Sequence, residues 1–333
     1  MNRPLNILRV ITWLPVGGIE RKIVAVLPRL DPARFRPRLV CIRERGPLAD
    51  ALERLGVPVH LCPLRSRLSP TGILALARLM REHAIDVVHA HMYRASVPAT
   101  IAARLAGVPV VISQVHNVGT WETRRQRTLD RFLCRWRSAQ VGVSERVRDD
   151  IVQTLGVPRE MTRVIYNGVE IERFADATLR EPARRALNIG PERIVICYHG
   201  RLVNQKNPDA LVELARRLRE SGRANALVLV AGDGPRRTEL ETRAAEEGLT
   251  DAIRFLGRRD DVPEILQAAD ISVLPSFKEG FSNALIEALA AGLPVVASDV
   301  GGNSEAIVEG ESGCIIQPGD MDALYEQVSR LVD

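Results

Sequence analysis

A two-domain α/β fold, each domain a parallel sheet covered by helices on both faces, is what this sequence predicts, and three observations lead to it. The chain has 333 residues, more than one ordinary core accommodates, so two domains are the natural expectation. Short apolar runs alternate with helical stretches from end to end, the pattern of a parallel sheet buried on both sides. Midway, a polar, charged stretch with little apolar periodicity interrupts the alternation, which then starts afresh near residue 191. The expected division is 1–170, a linker over 171–190, and 191–333.

Composition narrows the class. With 46% apolar and 26% charged residues, the chain reads as a soluble globular protein. No apolar run approaches the roughly 18–20 residues that span a bilayer. The start, MNRPLNILRVITWLP, has no h-region or small-residue cleavage site and reads as a first strand, not a signal peptide. Cys41, Cys62, Cys134, Cys197 and Cys314 form no C-x-x-C pair and no metal spacing, which points to reduced thiols in a cytoplasmic protein. Net charge is +5, unevenly divided: residues 1–170 carry 27 basic and 14 acidic side chains, residues 171–333 carry 19 and 27. The first half is therefore expected to meet something anionic. Lysine occurs only at 22, 206 and 278.

Taken in order, Leu5 to Leu14 reads as a strand stopped by Pro15. It runs through Val16-Gly17-Gly18-Ile19 into a helix from Glu20 to Leu27. Strand, glycine pair and helix suggest either a loop whose backbone approaches a ligand closely or a simple tight turn. The G-x-G-x-x-G fingerprint is absent, which argues against a hydride-transfer enzyme. Strands are expected over Arg38–Ile42, Val57–Leu61, Asp86–Ala90, Pro109–Ser113 and Gln140–Val143. Helices are expected over Leu48–Leu55, Thr71–Glu82, Ala95–Ala106, Thr123–Trp136 and Glu145–Leu155. Ligands bind at the carboxyl ends of such strands, and His89, His91 and His116 fall there. His89-Ala90-His91 has no third ligand at a useful spacing, so a metal pair is disfavoured.

In the second half, Ile194–Tyr198 is a strand leading into His199-Gly200-Arg201-Leu202-Val203-Asn204-Gln205-Lys206-Asn207. Ala226–Ala231 enters Gly232-Asp233-Gly234-Pro235, and Ile253–Gly257 follows. Asp260-Asp261 are expected to cap the next helix. Ile271–Leu274 reads as a buried strand ending at Pro275, Ala284 opens an Ala/Leu-rich helix ending at Gly292, and Val295–Ala297 runs into Gly301-Gly302. Glu279 then sits on the loop leaving a strand and Glu287 in the first turns of a helix. The N–H groups of Ser282, Asn283 and Ala284 would point out of that helix's N-terminus, a ready site for phosphate. Two exposed glutamates flanking a helix start would look the same.

The passage PSFKEGFSNALIEALAAGLPVVASDVGGNSE resembles the Glu-x₇-Glu signature of the family 4 retaining glycosyltransferases. His199 to Lys206 resembles their G-R-L-x-x-x-K motif, Ala231 to Pro235 their A-G-D-G-P turn, and Val164 to Val169 their domain-joining strand. The resemblance covers nearly the whole chain. It implies GT-B architecture: two Rossmann-like, doubly wound parallel-sheet domains facing across a cleft, with the acceptor on the first and a sugar nucleotide on the second. It implies that Glu279 faces the transferred sugar, that Glu287 binds the ribose, and that Arg201 and Lys206 bind the diphosphate and neutralise the leaving group. Gly17, Gly18, Gly200, Gly280, Phe281, Ser282 and Asn283 complete the donor site, and His116 lies near the reacting sugar; a satisfied structural histidine and solvated surface cations remain the plainer alternatives. The wording around Glu279 resembles members that use UDP-sugars, N-acetylhexosamines among them. The family usually continues past the position of Asp333, so its C-terminal helices are expected to be short or missing. Asp320-Met321-Asp322 has a D-x-D spacing but follows Pro318-Gly319 at a helix start, where capping is expected.

The implied enzyme is a retaining, metal-independent hexosyltransferase of cell-surface polysaccharide or glycolipid synthesis, with a nucleotide-sugar as substrate, no cofactor and no nucleic-acid partner. A sugar-nucleotide 2-epimerase of the same fold and a non-catalytic sugar-nucleotide binding protein are the alternatives. The last expectation is a peripheral site on the inner face of the membrane. Leu129, Phe132, Leu133 and Trp136 form one apolar stripe among Arg124, Arg125, Arg127, Arg131, Arg135 and Arg137, opposed by Glu122 and Asp130. Such a helix lies at an anionic lipid surface, or packs its stripe on the domain's own sheet, or does both, since a packed helix can still present its arginines to lipid head groups.

Overall fold

The computed structural model describes residues 3–15, 17–121 and 123–333. Val16 of the glycine loop and Glu122 beside the basic stripe lie outside the described residues. The chain divides into two compact units between Tyr166 and Asn167.

Among the described residues of the first unit, seven strands alternate with six α-helices. They are β1 (Leu5–Ile11), α1 (Gly18–Val26), β2 (Phe35–Cys41), α2 (Ala49–Arg54), β3 (Val59–Leu61), α3 (Pro70–Glu82) and β4 (Val87–His91). After them come α4 (Met92–Ala106), β5 (Val110–Val115), α5 (Arg124–Leu133), β6 (Ala139–Gly142), α6 (Glu145–Leu155) and β7 (Thr162–Val164). All strands pair in parallel, in the order β3-β2-β1-β4-β5-β6-β7. Both faces are covered, as the apolar runs require. Leu8 and Val10 pack with Leu76, Met80 and Ala99 of α3 and α4, while Ile11 and Leu39 pack with Ile23, Leu27 and Leu52 on the other side. Each fully buried aliphatic side chain of this kind contributes about 1.5–3 kcal/mol.

The second unit opens with α7 (Ile171–Phe174) and α8 (Arg180–Ala186). It continues with β8 (Ile194–His199), α9 (Asp209–Glu220), β9 (Ala226–Ala231), α10 (Arg237–Glu246), β10 (Ile253–Gly257) and α11 (Val262–Ala268). The last elements are β11 (Ile271–Leu274), α12 (Asn283–Ala290), β12 (Val295–Ser298), β13 (Gly313–Ile316) and α13 (Met321–Val332). Its six parallel strands run β10-β9-β8-β11-β12-β13. Ile196, Val228 and Val273 face Leu211, Leu214 and Leu324, and Val195, Leu229 and Val295 face Ile265, Leu285 and Phe174. Each unit is thus a Rossmann-like, doubly wound parallel-sheet domain.

Local chemistry sets the helix ends. Thr123 and Gln126 form a reciprocal capping box at α5, and Asp320 accepts from Ala323 N at α13. Asp261 takes the cap position of α11 without capping it, because Arg259 holds its carboxylate. The polar stretch 171–190, expected as a linker, is folded onto the second unit through α7 and α8. Arg184 is buried and donates to the carbonyls of Ala268 (3.0 Å), Gly190 (2.8 Å) and Arg193 (2.6 Å). Arginine there satisfies buried backbone oxygens, which apolar periodicity does not register.

In each sheet the strand order reverses once, between β1 and β4 and between β8 and β11. The crevice outside the carboxyl ends of the strands at such a reversal is where doubly wound sheets bind ligands.

Candidate functional site

In the second unit, the loops leaving β8 and β11 flank the reversal, and backbone contacts set their spacing. Gly232 lies so close to Gly200 that a Cβ there would stand 1.8 Å from the Gly200 oxygen. Gly301 has φ +55° and the carbonyls of Glu279 and Gly280 within 2.4–2.7 Å of where a Cβ would be. Only glycine fits such an approach. Gly302 N then donates to the Gly280 oxygen at 2.7 Å. Gln205 binds the Lys278 oxygen through Nε2 at 2.7 Å and receives Phe277 N at 2.8 Å. The two loops are thus stapled side by side.

That arrangement brings Lys206 onto Glu279. Its Nζ lies 2.5 Å from Glu279 Oε1, which also accepts from Ser276 Oγ at 2.8 Å, and the carboxylate is buried. Glu287, on α12, meets His199 at the end of β8: Nε2 to Oε2 is 3.0 Å, and Nδ1 of His199 is buried without a partner among the described residues. Each carboxylate keeps lone pairs that can accept hydroxyl groups. Arg201 is exposed and no hydrogen bond engages its guanidinium among the described residues, while its carbonyl accepts from Tyr198 Oη at 3.0 Å. Ser282 caps α12 by accepting from Leu285 N, Asn283 is the first helical residue, and Asn167 Nδ2 binds the Phe281 oxygen at 2.9 Å. Gly200, Arg201, Lys206, Glu279, Gly280, Phe281, Ser282, Asn283 and Glu287 therefore gather at one end of one sheet.

The first unit has its own polar cluster at the β1/β4 reversal. Gly17 is the N-cap of α1 and Gly18 its first residue. The register sets Arg9 of β1 beside His89 of β4, and His91 beside Gln114 of β5. Arg9 Nη1 lies 2.7 Å from His91 Nε2, and His91 Nδ1 lies 2.9 Å from His116 Nε2. Burial holds His116 down at about 3, helped by the charges of Lys22 and Arg9. His89 and His91 are also pushed well below the ordinary histidine range, chiefly by burial. All three rings are neutral at physiological pH. Among the described residues no group of three or more His, Cys, Asp or Glu side chains is arranged to hold a metal ion.

His199, Ser276, Gln205, Asn167 and Arg9 are not singled out by the sequence reading. His199 had a signal, since it stands directly before Gly200 at a strand end. Ser276 stands three positions before Glu279, while Gln205, Asn167 and Arg9 act through partners distant in the chain.

The basic stripe of α5 is divided. Leu133 is 1% exposed, whereas Phe132 is 48% and Trp136 37% exposed. The two aromatic rings meet edge to face at 5.5 Å, and Arg135 lies over Phe132. Arg137, counted from the sequence among the surface cations, is buried instead: its Nη2 donates to Asp130 at 2.5 Å, and Asp130 also receives Trp121 Nε1 at 2.7 Å. Arg131 binds the carbonyls of Thr154 and Leu155 at the end of α6. No described helix is long and apolar enough to cross a membrane.

Comparison with known proteins bears on both units. Residues 16–173 match the family description "Glycosyltransferase Family 4", and residues 180–333 match "Glycosyl transferases group 1". An Escherichia coli UDP-Gal:alpha-D-GlcNAc-diphosphoundecaprenol alpha-1,3-galactosyltransferase is 29% identical over 331 residues, spanning 96% of this chain and 85% of the relative. A 2-deoxystreptamine glucosyltransferase of Streptomyces kanamyceticus is 28% identical over 351 residues, spanning 99% and 89%. The crystal structure of Anabaena Alr3699/HepE in complex with UDP and glucose superposes with a TM-score of 0.86 at 22% identity, covering 99% of this chain and 90% of that one.

Proposed function

Since the chain belongs to the family 4 glycosyltransferases of GT-B fold, we propose that it is a retaining enzyme that moves a hexose or N-acetylhexosamine from a UDP-sugar to a glycan or lipid-linked acceptor. The observation that carries this reading is the pairing of Lys206 with Glu279 and of His199 with Glu287 at one sheet reversal. A UDP-sugar is favoured by the relatives, one of which is named for UDP-Gal.

In this reading Arg201 and Lys206 offset the charge that grows on the leaving diphosphate, together with the N-terminus of α12, so no metal is required. Glu279 orients the transferred sugar through its hydroxyls. Glu287, held by His199, accepts from the ribose. His116, at the end of β5, donates to the sugar. The acceptor hydroxyl attacks on the face the phosphate vacates: its oxygen bonds to the anomeric carbon as the carbon–phosphate-oxygen bond breaks, and the leaving phosphate takes its proton. Configuration is retained.

Incubation with a panel of sugar nucleotides, with and without acceptor extracts, tests this. Acceptor-dependent release of UDP with an α-linked product from an α-linked donor is expected. Interconversion of sugar epimers without acceptor would identify a 2-epimerase, and tight binding with no turnover a binding protein.

We also propose that α5 and the turn after it, Cys134–Trp136, dock the first unit on an anionic membrane surface, at the inner face if the acceptor is lipid-linked. Exposed Phe132 and Trp136 would enter the headgroup region while Arg124, Arg125, Arg127 and Arg135 meet the phosphates. Each such cation contributes about 1 kcal/mol near the surface, screened within a Debye length. Binding to vesicles containing anionic lipid should appear at low salt and fade as salt rises. Indifference to such vesicles at low ionic strength would leave a soluble acceptor as the better reading.

A further inference from the structure

We propose that Arg9 and His91 are positioning residues that lock His116 in a single tautomer, with its proton on Nδ1, so that His116 acts toward a bound ligand as a hydrogen-bond donor and not as a base. The ligand half of this rests on the reading above that His116 faces the sugar. The tautomer half rests on geometry alone.

A guanidinium has five N–H donors and no acceptor. With Arg9 Nη1 at 2.7 Å, His91 Nε2 has to accept. A neutral imidazole carries one proton, so that of His91 is on Nδ1. Nδ1 of His91 lies 2.9 Å from Nε2 of His116, which must accept in turn. The proton of His116 is thereby confined to Nδ1. That nitrogen is buried and has no partner among the described residues, so the relay ends on an N–H with its hydrogen bond still to make. An unsatisfied buried donor costs free energy, which an incoming oxygen recovers.

The surroundings keep the relay in this state. Arg9 comes from β1, His89 and His91 from β4, and Lys22 of α1 is the further charge that bears on His116. No described carboxylate pairs with Arg9. Burial lowers Arg9 only to about 10, so it stays charged, and the rings beside it stay neutral. His89 and His91 stack with centroids 4.6 Å apart, and His91 and His116 at 5.2 Å, which limits rotation of the middle ring. A ring acting as a base would need a free lone pair. On His116 that lone pair already belongs to His91.

The test uses the full chain with ¹⁵N-labelled histidine and long-range ¹H–¹⁵N correlation spectra, which distinguish a protonated ring nitrogen from a bare one. His91 and His116 are expected in the Nδ1–H form from about pH 5 to 8, assigned through His91→Gln and His116→Gln. Arg9→Lys, whose ammonium also only donates, should keep that form; Arg9→Met should release both rings to the Nε2–H tautomer. A His116 that carries its proton on Nε2 in the unaltered protein overturns the relay, whether or not Arg9→Met folds. Kinetics address the ligand half. His116→Asn, whose amide nitrogen stands near the Nδ1 position, should retain more activity than His116→Gln, whose nitrogen stands near Nε2. His116→Ala should lower kcat/KM about tenfold, the size of one neutral hydrogen bond. A relay seen by NMR with unchanged kinetics in His116→Ala would remove the ligand half alone.

Discussion

Lys206 and Glu279 neutralise one another at 2.5 Å, so a diphosphate reaching Lys206 has to share its ammonium with a carboxylate. A compact ammonium with three donors can bridge two anions, whereas a planar guanidinium engages one of them in a fork. Lys206→Ala should lower kcat on the order of 10²-fold, as expected for a preorganised charge, and Lys206→Arg should not restore it. Full turnover in Lys206→Ala would show that the lysine serves only Glu279. Glu287 plays a different part. It is joined to His199 but still partly open, so Glu287→Ala should weaken UDP binding by about 1.5–3 kcal/mol, the worth of a charged hydrogen bond. Calorimetry reads this directly, and unaltered affinity would remove Glu287 from the donor site. His199→Ala should have a smaller effect in the same direction, because the carboxylate stays and only its orientation is lost.

Elements reach the site through close backbone contact and through buried charge. Gly301 ties the loop after β12 to the loop carrying Glu279. Gly301→Ala would place a methyl group against two carbonyl oxygens at positive φ, costing about 1–2 kcal/mol for the backbone conformation and about 1–3 for overpacking. Urea denaturation should register the loss. Turnover should fall as well, since the carbonyl that has to move belongs to Glu279. On α5 and the turn that follows it, Cys134–Trp136, two substitutions separate structure from docking. Asp130→Ala leaves the buried Arg137 with Thr100 but without its counter-charge and should cost about 3–5 kcal/mol. Phe132→Ser with Trp136→Ser touches the exposed side, so stability should hold while binding to anionic vesicles drops. Equal vesicle binding before and after would assign those aromatics no part in docking.

For the whole molecule, pH links the histidine cluster to stability. His89, His91 and His116 all have folded values below the unfolded one near 6.5. The unfolded chain therefore binds more protons as pH falls. The stability this represents is present above about 6.5 and is lost as pH drops toward the folded value, about 3 for His116. At pH 5 the loss from His116 alone is about 2 kcal/mol. Thermal unfolding should show a steeper decline between pH 7 and 5 than in His116→Phe, and identical slopes would contradict the buried, neutral assignment. The excess of cations over 1–170 is a property of the same scale. Part of it is internal, as Arg9 and Arg137 demonstrate, and only the remainder is available to an anionic partner.

Patterning local to each segment carried most of the architecture. Ala226–Ala231, Ile253–Gly257 and Ile271–Leu274 were readable to the residue because short apolar runs end there at turn residues, and Glu145–Leu155 because Ser144 and Gly156 cap the helix at its two ends. The strand expected to reach Leu14 stops at Ile11, where the backbone leaves the sheet and Leu14 N turns to the Arg45 oxygen, a partner no window of sequence contains. The signature around Glu279 and Glu287, the Gly200–Lys206 loop and the family were likewise present in the chain itself. Which side chains meet was not. Lys206 and Glu279 are 73 positions apart, His199 and Glu287 88, and His91 and His116 25. Their meeting depends on the strand order, β8 beside β11 and β4 beside β5, and periodicity says that a segment is a strand without saying beside which other it lies. The same holds for the charges: composition counts an arginine wherever it stands, and only packing decided that Arg9, Arg137 and Arg184 are turned inward to bond a ring, a carboxylate and a set of carbonyl oxygens.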